Sequence, residues 1–509
     1  MASVEGWRAA CAAFVRASGT DPAVLHRLDA FGRPGDDPLP GLDFPALERE
    51  AIHDAAALDD ELASRLGLEV DTAQAAMFGR RRADVAAMLA SLGTAHTEAR
   101  VLQVGLWRRI RDVLAGEGPR ALRVRAVVDF YYSMGAQLRY RGIPGPSLTS
   151  RVAGLHWSLI ATGVHHALLD GQTNEGPLHV NLLRVAPGCG LRAVDARGVG
   201  DFAAWSAASG ACAATSGGFF LYSEPAIETP SARHDPVGLL ADGREILSPP
   251  TLARSALVQE ANGRFRIRRI GPDSANLFPE TGPRLDIVAR NTAPPPWSGD
   301  GPIGVAAHDR AHGATRPGHA GPWLSVVGDQ AVALPPGPAP VPLNGILLAL
   351  PPGAPAHTGW IRWALDVPVG AAIAGGPRLL RAGQIDLDRS ADDLMGDAPP
   401  ITFSQDETFD QNLLPRLAAG LLPDGGLVFA AIDGRNIDIA PGFTLAGSAA
   451  LLRALGCMEA LNLDGGSSKR MAVAGRIVDL PTTEVVRGAR STARVRPVHT
   501  ALLISPAPS

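Results

Sequence analysis

The chain has 509 residues, of which 46% are hydrophobic and 19% are charged, and its formal net charge is −4. A single hydrophobic core stops growing at roughly 250 to 300 residues, so this length predicts more than one domain. The small negative charge excludes a global basic field that would draw the chain to nucleic acid or to an anionic membrane surface.

Lysine and cysteine are both scarce. Lys469 is the single lysine among 47 basic residues, which excludes a Walker-type phosphate loop. The 4 cysteines lie far apart and show no metal-ligand spacing, so the sequence predicts neither a disulfide scaffold nor a zinc site. The N-terminus lacks a basic segment followed by an apolar run, and no apolar stretch of about 18 residues follows. We therefore expect a cytoplasmic protein with no membrane span and no cofactor.

Apolar positions recur at helical spacing up to about residue 140. One such series is Leu47, Ala51, Ala55, Leu58, Leu62 and Leu66. Similar patterns over 83–92 and 101–114 each precede a glycine, so the sequence predicts an all-α domain over residues 1–142. The run Arg80-Arg81-Arg82 is expected to form a solvated helix face. This region shows no catalytic motif, and docking of a protein partner is one hypothesis for its role.

The pattern changes after a segment rich in proline and glycine, Tyr140–Ser147. We place a linker at 143–153 and a second domain at 154–509. Short apolar runs predict strands at 178–185, 285–289, 324–327, 343–350 and 427–432, and Asp-Gly or Asn-Gly pairs at 242–243, 262–263 and 424–425 predict tight turns. One helix is predicted at 445–455 and an exposed acidic loop at 386–410. The fold class is therefore mixed α/β, with a large, partly antiparallel sheet.

The segment Leu461–Ser468 is the strongest local feature of the sequence. A strand ends at Asp464, and Gly465, Gly466, Ser467 and Ser468 follow. A carboxylate at the end of a buried strand is held rigidly, while the backbone N–H groups of small neighbours stay open to an anion. Alternatively, Asp464 only caps the glycine turn by bonding to its own backbone.

A second acidic strand end, Ile432-Asp433-Gly-Arg435, precedes the helix that leads to the first one. Sequential strands are often neighbours, so Asp433 and Asp464 could face one pocket. Two carboxylates are the minimum equipment for hydrolysis of a glycosidic bond. Arg435 could instead pair with Asp433 as a structural salt bridge, and spacing alone does not decide between the two.

An ordered set of motifs between about residues 154 and 505 resembles the phosphodiester glycosidases. The motifs are Ser216-Gly-Gly-Phe-Phe220, Pro236–Gly243, Pro415-Arg416-Leu-Ala-Ala-Gly420, Ile432–Arg435, Asn462-Leu-Asp-Gly-Gly466, Gly475, Arg496-Pro-Val and Ala501–Ile504. This chain departs from the family pattern at three positions. Ser216 replaces an asparagine, Leu417 a threonine and Ser467 a third glycine. The first change replaces a pocket amide with a shorter hydroxyl.

The resemblance implies hydrolysis of the sugar C1–O bond in an N-acetylglucosamine-1-phosphodiester-like substrate. It implies Asp464, Asp433 and Arg416 as the catalytic residues, with Arg416 on the phosphate, because a guanidinium binds phosphate oxygens bidentately. Which aspartate is the base or nucleophile and which the acid or orienting group stays open. The expected substrate-binding residues are Arg435, Asn462, Gly465, Gly466, Ser467, Ser468, Ser216, Gly218 and Asp235. A capping role for the two serines, and a role for Asp235 unrelated to the cavity, are the alternatives.

Other features suggest alternatives. Lys469 could add positive charge at the phosphate, although a solvated turn residue is the simpler interpretation. His308, His312 and His319 lie among glycines and prolines that favour a loop, so no metal site is expected. The change at Ser216 leaves a non-catalytic or weakly active sugar-phosphate binding protein as an alternative to an enzyme.

Overall fold

The computed structural model describes residues 64–66, 72–92, 102, 106, 110–111, 113–116, 120–140, 143–221, 234–387, 412–481 and 495–508. The named helices are α1 (Thr72–Ser91), α2 (Arg120–Tyr140), α3 (Leu148–Ala153), α4 (Phe202–Ala208) and α5 (Leu445–Ala454). None of the helices within these ranges combines the length and the apolarity that a membrane crossing requires.

The strands before the middle of the chain are β1 (Ser158–Ala161), β2 (Val164–Thr173), β3 (Gly176–Val185), β4 (Gly190–Val199), β5 (Ala213–Ser216), β6 (Leu240–Asp242), β7 (Glu245–Ser248), β8 (Arg254–Glu260) and β9 (Phe265–Ile270). The next are β10 (Ala275–Pro279), β11 (Leu285–Arg290), β12 (Ile303–His308), β13 (Thr315–Arg316), β14 (Trp323–Val327), β15 (Gln330–Leu334), β16 (Ala339–Pro340), β17 (Gly345–Ala349) and β18 (Gly359–Leu365). The last are β19 (Val369–Ala374), β20 (Arg378–Arg381), β21 (Gln384–Ile385), β22 (Arg416–Leu421), β23 (Leu427–Ile432), β24 (Glu459–Leu463), β25 (Met471–Val473), β26 (Arg476–Ile477) and β27 (Val498–Ser505).

Most of the N-terminal prediction lies outside the described residues. The described positions between 64 and 140 are almost entirely helical, and α1 packs against α2. The all-α assignment of 1–142 stays a prediction. The predicted linker contains a short helix, α3, whose N-cap Ser147 accepts the N–H of Ser150 at 3.2 Å.

The arginine run on α1 is a solvated face only at Arg80, which is exposed. Arg81 and Arg82 are each 2% exposed, so that expectation is wrong for these two side chains. The physical reason is the packing of α1 on α2, which covers this side of the helix. Arg81 Nη1 lies 3.7 Å from Asp129 Oδ1, so the acidic partner comes from the neighbouring helix.

An eight-stranded sheet organises the second domain, in the order β1-β2-β3-β23-β22-β24-β20-β21. All of its recorded pairings are antiparallel, whereas the sequence predicts a partly antiparallel sheet. α5 covers one face through an apolar cluster that includes Ala418, Val428 and Leu452. Two five-stranded sheets, β7-β6-β19-β8-β9 and β26-β25-β5-β27-β4, share a second cluster with the opposite face. The central strands are buried on both faces, which explains their uninterrupted apolar sequences.

The predicted strands, the three tight turns and the helix at 445–455 are confirmed. α5 begins after Thr444, whose side chain accepts the N–H of Gly447 at 2.9 Å. Of the predicted acidic loop at 386–410, only residues 386–387 lie within the described residues. The sequence did not indicate α4, or that β10, β11, β12, β17, β14, β15 and β18 close into a barrel.

Candidate active site

Three chain segments that carry predicted catalytic residues meet at one edge of the large sheet. β22 lies between β23 and β24, with Arg416 opposite Ile432 and Leu417 opposite Leu463. The two acidic strands are therefore not direct neighbours, contrary to the simplest expectation. Because both are antiparallel to β22, they end on the same side. Two strand spacings separate their backbones by about 10 Å.

The glycine turn after β24 depends on its glycines. Gly466 has φ +60°, a left-handed conformation that side chains rarely adopt, and its N–H donates to Pro415 O at 2.8 Å. A Cβ on Gly465 would lie 2.7 Å from the same Pro415 oxygen. Asp464 N donates to Gly217 O at 3.0 Å, which draws the turn toward the Ser216–Phe220 segment. Asp464 is thus presented from a backbone fixed on both sides.

The Asp464 carboxyl has an electrostatic environment suited to proton transfer. The residue is half-buried, and burial raises the pKa of its carboxyl to about 7. A hydrogen bond from Ser468 and the positive charges of Arg496 and Arg125 oppose that rise. At neutral pH both protonation states are populated, which is the condition for a general acid or base.

Arginines surround the turn. Arg496 Nη1 donates to Ser467 Oγ at 2.9 Å, and Arg496 is half-buried. Arg435 Nη1 lies 3.8 Å from where a Gly466 Cβ would stand. Two serines and two guanidinium groups therefore lie together beside one carboxyl. This combination is suited to an anionic substrate.

Asp433 belongs to a buried ion cluster rather than to an open pair of carboxylates. Its side chain is fully buried; Oδ1 accepts from Lys469 Nζ at 2.5 Å and from Leu480 N at 3.1 Å, and Oδ2 lies 2.5 Å from His179 Nδ1. Lys469 also bonds Asp479 at 2.7 Å. Lys469 is 0% exposed, so its interpretation as a solvated turn residue is wrong. Arg470 Nη1 donates to Asp479 Oδ2 at 2.9 Å, so Lys469 and Arg470 together offset the two buried carboxylates.

Arg435 does not pair with Asp433. Its Nε and Nη2 reach Asp129 on α2 at 3.1–3.3 Å. Arg435 adopts φ +59°, a left-handed backbone conformation that is uncommon for residues other than glycine. The sequence alternative of a local Asp433–Arg435 salt bridge is therefore wrong, because the partner lies about 300 residues away along the chain.

Arg416 and Asn462 are buried at the same edge. Arg416 donates to the carbonyl oxygens of Phe443 and Asn412, each at 3.1 Å, and is 5% exposed. Asn462 Nδ2 donates to Gly376 O at 3.0 Å, and the residue is 2% exposed. These contacts give both side chains a role in holding backbone. The substrate contacts expected of them stay predictions.

The remaining predicted residues line one flank. Ser216 Oγ accepts from Arg470 N at 2.9 Å, and Gly218 O accepts from Thr500 Oγ1 at 2.9 Å. Asp235 forms an ion pair with Arg197, and burial raises the pKa of the Asp235 carboxyl.

Two histidines stack on this flank. The rings of His234 and His499 lie 3.9 Å apart at an interplanar angle of 10°, and both contact Phe220. Burial, together with the charges of His234, Arg496 and Arg197, lowers the pKa of His499 to about 3. His499 therefore stays neutral at physiological pH.

Sequence reasoning missed several of these residues. His179 and Asp479 each interrupt an apolar strand or run, and Asp129 follows Val127-Val128 on α2. A charged or titratable residue inside an apolar run is a usable signal of a buried partner elsewhere. Arg496 belongs to a quoted motif but was given no role. No local pattern could join Asp129 to Arg435.

The histidine stretch around His308 is structural within the described residues. His308 ends β12, and Asp309 accepts from Arg290 Nη2 at 2.6 Å and pairs with His312 Nδ1 at 2.9 Å. Within the described ranges, no group of three or more histidine, cysteine or acidic side chains could hold a metal ion.

Solved structures with similarity to this chain were found. A hypothetical protein from Synechocystis is 22% identical with a TM-score of 0.43, and the match covers 67% of this chain and 62% of that one. A candidate exported protein from Burkholderia pseudomallei is 22% identical with a TM-score of 0.42, covering 66% and 76%. The zebrafish N-acetylglucosamine-1-phosphodiester alpha-N-acetylglucosaminidase catalytic domain, auto-inhibited by its pro-peptide, is 14% identical with a TM-score of 0.39, covering 69% and 88%.

The chain matches no curated protein. It does match a family model, described as phosphodiester glycosidase, over residues 355–505. Arg416, Asp433 and Asp464 lie inside this segment, whereas Ser216 and Asp235 lie outside it. The resemblance drawn from the sequence motifs is thereby confirmed for residues 355–505, which match the phosphodiester glycosidase model.

Proposed function

We propose that this protein hydrolyses the C1–O bond of a sugar-phosphate diester resembling an N-acetylglucosamine-1-phosphodiester, releasing free sugar and a phosphomonoester. One observation carries the proposal. Asp464 presents a carboxyl whose pKa burial raises to about 7, on a glycine turn within the family segment. Ser468 and Arg496 flank this carboxyl.

The leaving group decides what the site must supply. A phosphomonoester leaves more readily than an alcohol, so the reaction needs less general-acid help and more neutralisation of phosphate charge. As the C1–O bond breaks, its electron pair passes to the phosphate oxygen. Water forms the new bond to C1, and its proton passes to Asp464. Ionised Asp464 also faces the positive charge that develops at C1.

Arg496 is the arginine that we assign to the phosphate. It is half-buried, bonds Ser467 on the glycine turn, and its charge acts on Asp464. Arg416 remains the residue implied by the family resemblance. Its bonds to two carbonyl oxygens favour a supporting role for it. The N–H of Gly466 donates to Pro415 O and that of Ser468 to Gly465 O, so the Ser467 hydroxyl, which accepts from Arg496, is the group of the turn that we assign to the anion site.

Asp433 takes the orienting role in this scheme. Oδ1 of Asp433 accepts from Lys469, and Oδ2 bonds Nδ1 of His179. Because Asp433 fixes the imidazole in this way, His179 is our candidate for a second proton-transfer group. His179 keeps 17% of its side chain exposed, whereas Asp433 keeps none.

A binding protein on the same scaffold is the second candidate function. Ser216 stands at the position of a family asparagine, and its hydroxyl oxygen accepts a backbone N–H. A site with fewer substrate contacts on this flank could retain affinity and lose turnover.

Hydrolysis distinguishes the two candidates. An activated sugar nucleotide, UDP-N-acetylglucosamine, is the first substrate to test, since we expect a cytoplasmic protein. Release of free sugar that is lost in Asp464→Asn supports the enzyme. Asp424→Asn is the matched control, because Asp424 lies on an exposed turn at the opposite end of the sheet. Binding of the nucleotide without any release would support the binding protein instead.

A further inference from the structure

The C-terminal half of α2 is hydrogen-bonded to residues 413–441, which lie inside the family-matched segment. Tyr132 Oη donates to Pro441 O at 2.8 Å, Leu413 N donates to Ser133 Oγ at 2.9 Å, and Tyr140 Oη donates to Ile437 O. Ile437 is fully buried in the apolar cluster of the N-terminal helices. α2 therefore shares a core with the second domain.

The two segments that α2 contacts support the candidate site. Residues 412–416 lead into β22, and Pro415 O anchors the Gly466 N–H. Residues 435–441 follow directly on Asp433. Any shift of α2 relative to these segments would therefore move the backbone on which the glycine turn rests.

Asp129 is the charged centre of this contact. Asp129 is 1% exposed and holds Arg435 through two guanidinium nitrogens at 3.1–3.3 Å. The third nitrogen, Nη1, lies on the side of Gly466. Arg435 is 4% exposed, so Asp129 fixes a buried guanidinium directly behind the turn. A bidentate pair of this kind fixes orientation as well as distance.

We propose that α2 is a wall of the Asp464 site, in which Asp129 is a positioning residue that holds Arg435 behind the glycine turn and Arg125, on the same side of the helix as Asp129, contributes positive charge to the site. This inference rests on the proposed function. It extends that function by assigning part of the substrate-anion site to the N-terminal region. The side of α2 that carries Asp129 and Tyr132 is buried against the second domain and is not available to a separate partner.

The charge of Arg125 supports the same arrangement. Arg125 is half-buried on α2, and its positive charge acts to lower the pKa of Asp464. Asp129 and Arg125 are four residues apart and therefore lie on one side of the helix. α2 thus carries both Asp129, which fixes Arg435 behind the glycine turn, and Arg125, whose charge acts to lower the pKa of the Asp464 carboxyl.

The test uses the full chain with UDP-N-acetylglucosamine, three single variants and one double variant. Asp129→Asn and Arg435→Lys are each expected to lower kcat/KM by about 100-fold, the effect of displacing a site by about 1 Å. Their double variant should lose little more than either single variant, because the two residues act as one unit. Arg125→Gln should shift the pH dependence of kcat to higher pH. A purely structural role of Arg125 would not produce this shift.

Arg139→Ala is the matched control. Arg139 lies on the same helix and bonds Asp438 of the second domain at 2.7 Å, with both side chains about 30% exposed. It should keep wild-type kcat/KM. The inference is overturned if Asp129→Asn folds and keeps the wild-type kcat/KM, or if Arg125→Gln leaves the pH profile unchanged. Should Asp129→Asn fail to fold, Asp129→Glu and Arg125→Gln decide.

Failure of the proposed function would be visible separately. In that case the wild type releases no sugar, and the affinity for N-acetylglucosamine 1-phosphate, measured by calorimetry, becomes the readout. If Asp129→Asn and Arg435→Lys bind this ligand about tenfold or more weakly than the wild type, the result supports α2 as part of the Asp464 site even in a non-catalytic protein. Equal binding by the wild type and both variants contradicts it.

Discussion

Replacing Asp464 with asparagine should stabilise the protein at neutral and alkaline pH while it abolishes turnover. Burial raises the pKa of the carboxyl from 3.8 to about 7, so the folded state disfavours the ionised form. This difference in pKa between the unfolded and the folded chain lowers the free energy of unfolding by at most about 4 kcal/mol once the carboxyl is ionised. Asparagine cannot ionise, and therefore it escapes this penalty.

The direction in which stability changes with pH follows from the raised pKa of Asp464 in the folded chain. Below about pH 4 the carboxyl is protonated in both the folded and the unfolded chain, and the wild type pays no ionisation penalty. As the pH rises toward 7, the unfolded chain releases its proton while the folded chain retains it, so the wild type loses stability. Above pH 7 the penalty is complete. The difference between variant and wild type should therefore be small near pH 4 and greatest above pH 7.

Thermal unfolding of both proteins between pH 4 and 8.5 measures this difference. We expect the midpoint of Asp464→Asn to exceed that of the wild type by on the order of 5 to 10 °C at pH 8 and by little at pH 4. Asp424→Asn is the control, because a hydrogen bond from Gly426 N–H lowers the pKa of Asp424 and no alkaline gain should follow. If the unfolding midpoints of the variant and the wild type differed by the same amount at both pH values, the assignment of a raised pKa to the Asp464 carboxyl would be refuted.

Three further substitutions test other parts of the site. Lys469→Met removes the cation shared by Asp433 and Asp479, while Arg470 still pairs with Asp479 and His179 still bonds Asp433. It should lower the free energy of unfolding by about 3 to 5 kcal/mol, against at most about 1 kcal/mol for Arg184→Ala at an exposed salt bridge; denaturant titration measures both. His179→Ala should reduce kcat for release of sugar with little change in circular dichroism, and an unchanged kcat would exclude His179 from proton transfer. Gly466→Ala forces a side chain into a left-handed backbone at a cost of about 1 to 2 kcal/mol and should also weaken substrate binding, as calorimetry would record.

The spacing of apolar residues predicted those helices and strands whose formation depends mainly on the residues within them. The apolar runs of β3 and β23 and the helical spacing of α5 follow from burial on one or two faces, so they were predictable. The barrel was not, because closure depends on which strands pair, and no short pattern records the pairing of β10 with β18.

The site was predictable to the same extent. Asp433 and Asp464 stood out as acidic strand ends, but they share an edge because β22 lies antiparallel between their strands, and not because the two strands pair directly. Their different environments did not follow, because Lys469, His179 and Arg496 come from other segments of the chain. The link from Asp129 to Arg435 spans two regions that share no motif.

The barrel also bears on how this chain can be altered. Its first and last strands pair with each other, with Ala275 opposite Leu365, and Asp366 N donates to Ser274 O at 3.0 Å. The entrance and the exit of a segment of about ninety residues therefore lie side by side between β9 and β19. A short peptide bridge is long enough to join Ser274 to Asp366, so we expect that the barrel can be removed or exchanged without changing the path of the sheet that carries Asp464.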